Sequence, residues 1–142
     1  MRKLVVVGFA AVLVAGMAGA SDAKVRITKM YFDSPGADTG TNKSLNAEYA
    51  QIKNFGLKRV YLSGWTLRDS DKHVYRFPTF HLGPGKSVRV HTGKGTNTAT
   101  NLYWRSSSYI WNNDGDKATL KKKSGLLVDA CSYSGAGSYK LC

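Results

Sequence analysis

After residue 23, no window of this chain keeps a helical period for three turns. That one feature removes the helical bundles and most α/β folds from consideration. What the chain keeps instead is short alternation. "VRITKMYF", "AEYAQIKNF", "RVYLSGWTLRD", "HVYRF", "SVRVHT", "NLYW", "KATLKKK" and "LLVDACSY" are rich in Val, Ile, Tyr, Phe and Trp, the residues that fit a pleated, half-buried surface. Between them stand "SPGADTG", "LGPGK" and "GKGTN", whose Gly, Pro and Asn supply turn geometry. About eight short strands at close spacing predict an all-β, antiparallel sandwich. Asp33 to Ser44 is the best loop candidate, and Lys43 is its only cation.

One run changes phase. In "VYLSGWTL", Val60 and Leu62 share a parity, whereas Trp65 and Leu67 have the opposite one. A strand that keeps one face buried changes parity only by inserting a residue, so Ser63-Gly64 is expected to be a β-bulge or a bend.

Residues 1–23 read as a leader rather than as part of the fold. Arg2 and Lys3 precede an apolar run from Leu4 to Met17, and small-residue cleavage sites follow, ending at Ala20 or Ala23. This is the layout of a secretory signal peptide, and the run is short for a membrane span, which needs about 20 residues. The expected organisation is therefore a signal peptide at 1–23 and one domain at 24–142. The domain is expected to be secreted, with cell-wall association as an extension of that reading. Without Arg2, Lys3 and Asp22 the balance is 19 Lys and Arg against 8 Asp and Glu. Such a surplus attracts polymers of phosphate, sulfate or carboxylate and says nothing about fold. The two cysteines, Cys131 and Cys142, bracket "SYSGAGSY". An even count in an exported chain favours a disulfide, and two cysteines allow one pairing.

"YIWNNDGDKATL" poses the chemical question. With Gly115 as the glycine of an EF-hand loop, Ile110 falls at the first ligand position, and Leu120 and Lys121 occupy the region of the closing acid. The template fails, which leaves an irregular Ca²⁺ site at Asp114 and Asp116 as the weaker alternative. Asn, Asp and Gly suit a hairpin turn better, and alternation resumes at once with Ala118 and Leu120. Beyond the leader the chain has one Glu, Glu48, and three histidines, His73, His81 and His91. It carries no H-E-x-x-H, no G-x-S-x-G and no phosphate-binding glycine loop ahead of a helix. No cofactor or metal is expected. Trp65 and Trp111 read as core. Tyr103 and Trp104 point to opposite faces of any strand, so one of them is a candidate for binding.

"DKATLKKK" is the candidate site. If Ala118 and Leu120 face inward, Lys117, Thr119, Lys121 and Lys123 share the outward face. Arg89 and His91 flank Val90 on another outward face and are candidates to extend a polyanion-binding patch. The plainer alternative makes the lysines guards of a sheet edge against aggregation.

"AEYAQIKNFG", "VYLSGWTLRD", the "RFP" before "LGPGKSVRVHTG", and "WNNDGDKATLKKKSGLLVD" occur in an order that resembles the lamin tail domain, especially its bacterial secreted members. The likeness covers roughly Val25 to Tyr133. It implies an immunoglobulin-like sandwich, framework roles for Trp65 and Trp111, a turn at Asn112 to Asp116, and no catalytic site. In eukaryotic lamins this domain is an interaction module for chromatin and proteins; in bacteria it often accompanies exported nucleases or hydrolases. The expectation is an exported, stand-alone, non-enzymatic module that adheres to DNA or to an anionic cell-wall polymer. Protein interaction at the cell surface is the alternative, and a hydrolase whose site is assembled only by folding is the third.

Overall fold

A computed structural model describes residues 24–142, so the expected signal peptide lies outside the described residues. Eleven strands are present: β1 (Val25–Tyr31), β2 (Tyr49–Asn54), β3 (Val60–Tyr61), β4 (Thr66–Arg68), β5 (Val74–Arg76), β6 (His81–Leu82), β7 (Ser87–His91), β8 (Asn101–Tyr103), β9 (Asp116–Lys121), β10 (Leu127–Tyr133) and β11 (Tyr139–Leu141). They form a five-stranded sheet ordered β11-β1-β2-β7-β8, a four-stranded sheet ordered β10-β9-β4-β5, and the short pair β3-β6. The inward positions of both larger sheets meet in one core, which joins Ile27, Ile52, Val88 and Leu102 to Leu67, Ala118 and Leu120 and includes Trp111 from the segment before β9. This is the all-β sandwich that the alternation predicts, in the immunoglobulin-like form that the resemblance implies. One pairing departs from the antiparallel rule: β7 and β8 run parallel.

Two local expectations are corrected and a third is narrowed to one of its alternatives. The expected loop from Asp33 to Ser44 ends in a short helix, α1 (Asn42–Ala47), capped by Thr41, whose hydroxyl accepts from the Ser44 amide at 3.3 Å. Six residues are too few to show a period, and Leu45 alone is buried. The parity switch at Ser63-Gly64 takes the second of its two expected forms, a bend rather than a bulge, made as a tight turn. Trp65 N donates to Leu62 O at 2.9 Å and Gly64 takes φ +79°. The turn moves the chain from the β3-β6 pair into the four-stranded sheet, so Val60, Leu62, Trp65 and Leu67 are all buried despite their opposite parities.

"NNDGD" is a turn, but it closes no hairpin, because β9 pairs with β10 and β4 and not with the segment before it. Its anchor is Asp116, which is buried at the head of β9. Asp116 Oδ1 accepts from Ser70 N at 2.9 Å and Lys117 N at 2.8 Å, and Oδ2 accepts from Asn112 N at 3.2 Å. Gly115 holds φ +133°, and a Cβ there would stand 3.1 Å from Tyr133 O. Both the dihedral and the close approach call for glycine.

The disulfide joins Cys131 to Cys142 with a Cα separation of 5.8 Å. Cys131 lies in β10 of one sheet and Cys142 directly follows β11 of the other. The bond therefore ties the two layers together at their C-terminal strands.

Candidate polyanion-binding faces

The outward face of the four-stranded sheet is built by parity. Ala118 and Leu120 are fully buried, so Lys117, Thr119 and Lys121 turn outward as the alternation predicts. Register extends the row. Lys121 stands opposite Thr66, and Thr66 stands opposite Arg76; Thr119 stands opposite Arg68, and Arg68 opposite Val74. Lys117 faces Ser132 of β10. The outward positions of these four strands thus carry Lys117, Lys121, Arg68 and Arg76, and none carries Asp or Glu. Asp116 and Asp129, the acids of β9 and β10, are turned elsewhere. Asp116 is buried, and Asp129 Oδ2 accepts from Ile27 N of the opposing sheet at 2.8 Å.

Lys123 lies past the end of β9, in the turn closed by Gly125 N donating to Lys122 O at 2.9 Å. Its stem crosses Gly64, where an added Cβ would stand 3.0 Å from Lys123 Cδ. β9 is an interior strand with β10 and β4 on its two sides, so these lysines do not guard an edge. Sequence reasoning missed Arg68 and Arg76, because only the register between strands brings them beside the lysines.

Arg89 does not extend this patch. It projects from β7, on the outer face of the five-stranded sheet, where its Nε donates to Gln51 Oε1 at 3.0 Å and its guanidinium lies 4.4 Å from the centre of the Tyr49 ring. His91 shares that face. Its Nδ1 lies 2.7 Å from Asn46 O and its Nε2 2.8 Å from Asn101 Oδ1, which fixes the ring. His73 bonds to Asp69 through Nδ1, and His81 packs edge-on to Tyr61.

Three of the acids gather in one place. Carboxylates of Asp69, Asp71 and Asp116 lie within 4.8 Å of one another, a grouping that shares Asp116 with the irregular Ca²⁺ alternative; Asp114 stays outside it and exposed. Their oxygens receive loop amides: Asp69 Oδ1 accepts from Asp71 N and His73 N, and Asp71 Oδ2 accepts from Asn112 Nδ2. The cluster thereby knots the β4–β5 turn to the segment before β9. Glu48 sits alone in the interior. Its Oε1 accepts from Thr92 Oγ1 at 2.6 Å, Ile110 N at 2.9 Å and Trp111 N at 3.1 Å. Burial pushes this carboxyl up to about 7. It joins the start of β2 to the segment carrying Trp111.

The aromatics divide as parity requires. Trp65 and Trp111 are core residues. Trp104 packs against that core, 6.0 Å from Trp111 and 5.6 Å from Tyr75, so Tyr103 is the member of the pair that faces outward.

Among the described residues no helix is long and apolar enough to cross a membrane. No curated protein matches the chain. The sequence profile of the Lamin Tail Domain family matches residues 18–135, from inside the expected leader to just past β10. Members of that family are non-catalytic binding modules, in keeping with a chain whose buried acids are engaged by loops and amides. With a match over most of its length and the sandwich to go with it, the chain belongs to the lamin tail domain family.

Proposed function

We propose that this protein is an exported module that adheres to an anionic extracellular polymer, either DNA or a cell-wall polyanion. The supporting observation is the carboxylate-free outer face of the four-stranded sheet, with Lys117, Lys121, Arg68 and Arg76 projecting from three neighbouring strands. Strands lie about 4.8 Å apart and alternate residues about 6.5–7 Å apart, so the cations form a grid on the scale of phosphate spacing along a nucleic-acid strand. The basic start and apolar run of residues 2–17 support export. Cosedimentation with DNA and with isolated cell wall at low and high salt tests the reading. Salt-sensitive binding to either polymer is expected, and binding to neither at low salt overturns it.

A second reading, protein contact at the cell surface, draws on Leu126 and Leu127, which are 61% and 58% exposed at the start of the edge strand β10. Exposed apolar side chains next to an unpaired edge suit strand addition. Salt-insensitive capture of a surface protein, lost in Leu127→Lys, is the result that selects it.

A further inference from the structure

The outer face of the five-stranded sheet carries a row of rings that crosses every strand. Register places Tyr139 of β11 opposite Tyr31 of β1, Tyr31 opposite Tyr49 of β2, Tyr49 opposite His91 of β7, and His91 opposite Tyr103 of β8. Consecutive ring centres are 5.8, 5.6, 5.7 and 5.2 Å apart. Five strands span roughly 19 Å across the sheet. The row is seated at one end by Gly95, where a Cβ would stand 2.5 Å from the Tyr103 ring. At the other end Tyr139 lies on an edge strand and is 49% exposed. No phenol hydroxyl of the four tyrosines has a hydrogen-bond partner among the described residues.

A second row runs beside the first. Lys29, Gln51, Arg89 and Asn101 are cross-strand neighbours, one pleat step from the rings. Lys29 Nζ lies 4.5 Å from the centre of the Tyr139 ring and 5.3 Å from that of Tyr31. Arg26 and Lys53, paired with each other, add charge further along the same face. None of the five strands contains Asp or Glu.

Cross-strand aromatic pairs stabilise a sheet, but stability alone asks for neither a parallel row of cations nor a carboxylate-free face. The geometry points to a binding site for single-stranded nucleic acid. Phosphates lie along the Lys29–Arg89 row, and a base stacks on Tyr139, the most exposed ring of the row. A positively charged track beside aromatic side chains is how single strands are held without sequence preference. A duplex keeps its bases inside and gives the rings nothing to contact. A sulfated polysaccharide uses the cations and leaves the tyrosines idle. The inference deepens the polyanion reading and rests on it for the sign of the ligand, but it places the single strand on the opposite sheet from Lys117 and Lys121.

Fluorescence anisotropy of a short labelled oligothymidylate, with duplex DNA and heparin measured in parallel, tests it. Tyr139→Ala is expected to weaken oligothymidylate binding about tenfold and to leave duplex and heparin binding unchanged. Tyr139→Phe keeps the ring and is expected to bind nearly as wild type. Lys29→Glu with Arg89→Glu is expected to weaken the oligothymidylate further, whereas Lys117→Glu with Lys121→Glu leaves it unaltered. Because Tyr139 and Lys29 are not core residues, unchanged melting temperatures separate lost binding from lost folding. Unchanged oligothymidylate affinity in Tyr139→Ala overturns the site, as does its loss in the Lys117 and Lys121 double variant; in both cases the polyanion reading stands. Equal sensitivity of heparin to Tyr139→Ala assigns the face to acidic polysaccharide and overturns the nucleic-acid assignment. Failure of wild type to bind any of the three overturns the site and removes the DNA arm of the polyanion reading, leaving its cell-wall arm to the cosedimentation measurement.

Discussion

Replacing Glu48 by glutamine should remove a pH dependence built into the core. Glu48 is 1% exposed, and its Oε2 is buried without a partner. Burial is the largest influence and raises the carboxyl from 4.5 to about 7, against the opposing pull of bonds from Thr92, Trp111 and Ile110. A folded pKa above the unfolded one means that the native state binds the proton more tightly. The stabilisation is therefore complete below about pH 4.5 and is lost as pH rises through about 7. The interval between those values corresponds to about 3 kcal/mol at full deprotonation. The substituted amide keeps an oxygen for Thr92 and the two backbone N–H groups and carries no charge at any pH. Its unpartnered NH₂ adds an offset that is the same at pH 5 and pH 8, so the comparison between the two pH values isolates the titration. Urea unfolding of both proteins at pH 5 and pH 8 is the assay. Relative to wild type, the variant should gain about 2.5 kcal/mol between the two. Parallel pH profiles for wild type and Glu48→Gln would refute the assignment of a buried proton to this carboxyl.

Cys142→Ser opens an 11-residue loop, and chain-entropy reasoning puts the loss near 2–3 kcal/mol; the variant should fold and melt lower, and unchanged unfolding would show that the clip is idle. Gly115→Val places a branched side chain at φ +133° against Tyr133 O and should destabilise by about 1–3 kcal/mol, while Asp114→Asn, exposed and outside the acidic cluster, should melt as wild type. Trp65→Ala empties part of the core under the Leu62–Trp65 turn and should lose about 3–5 kcal/mol; a fully stable variant would move Trp65 out of the framework.

Strand content was legible where one face is buried and the other wet. β7 and β9 alternate cleanly, and β2 does so from Ala50 on, because each sits within a sheet with a core on one side; β1 alternates only up to the register shift between Ile27 and Lys29. β11 left no trace, since its three residues are all exposed and edge pairing with β1 asks for no alternation. β6, two residues long, is too short to show a period. Residues near one another in sequence were placed correctly, with Lys117 and Lys121 on one face and Cys131 bound to Cys142. Relations that depend on register were not. Arg68 and Arg76 join the lysines, and Arg89 leaves them, only through strand order. Tyr31 and Tyr139 lie far apart in the chain, and no periodicity links them. Pairing with β1 alone makes them neighbours.

The most direct test of the polyanion reading is the salt dependence of binding to duplex DNA, measured for wild type and for the triple variant Lys117→Glu, Lys121→Glu and Lys123→Glu. Wild-type affinity should fall linearly on a log–log plot, with a slope near about −0.9 for each phosphate neutralised. The triple variant should keep its melting temperature and lose roughly three contacts' worth of slope. An undiminished slope, with binding retained, would contradict the assignment and leave these lysines as a solvated face.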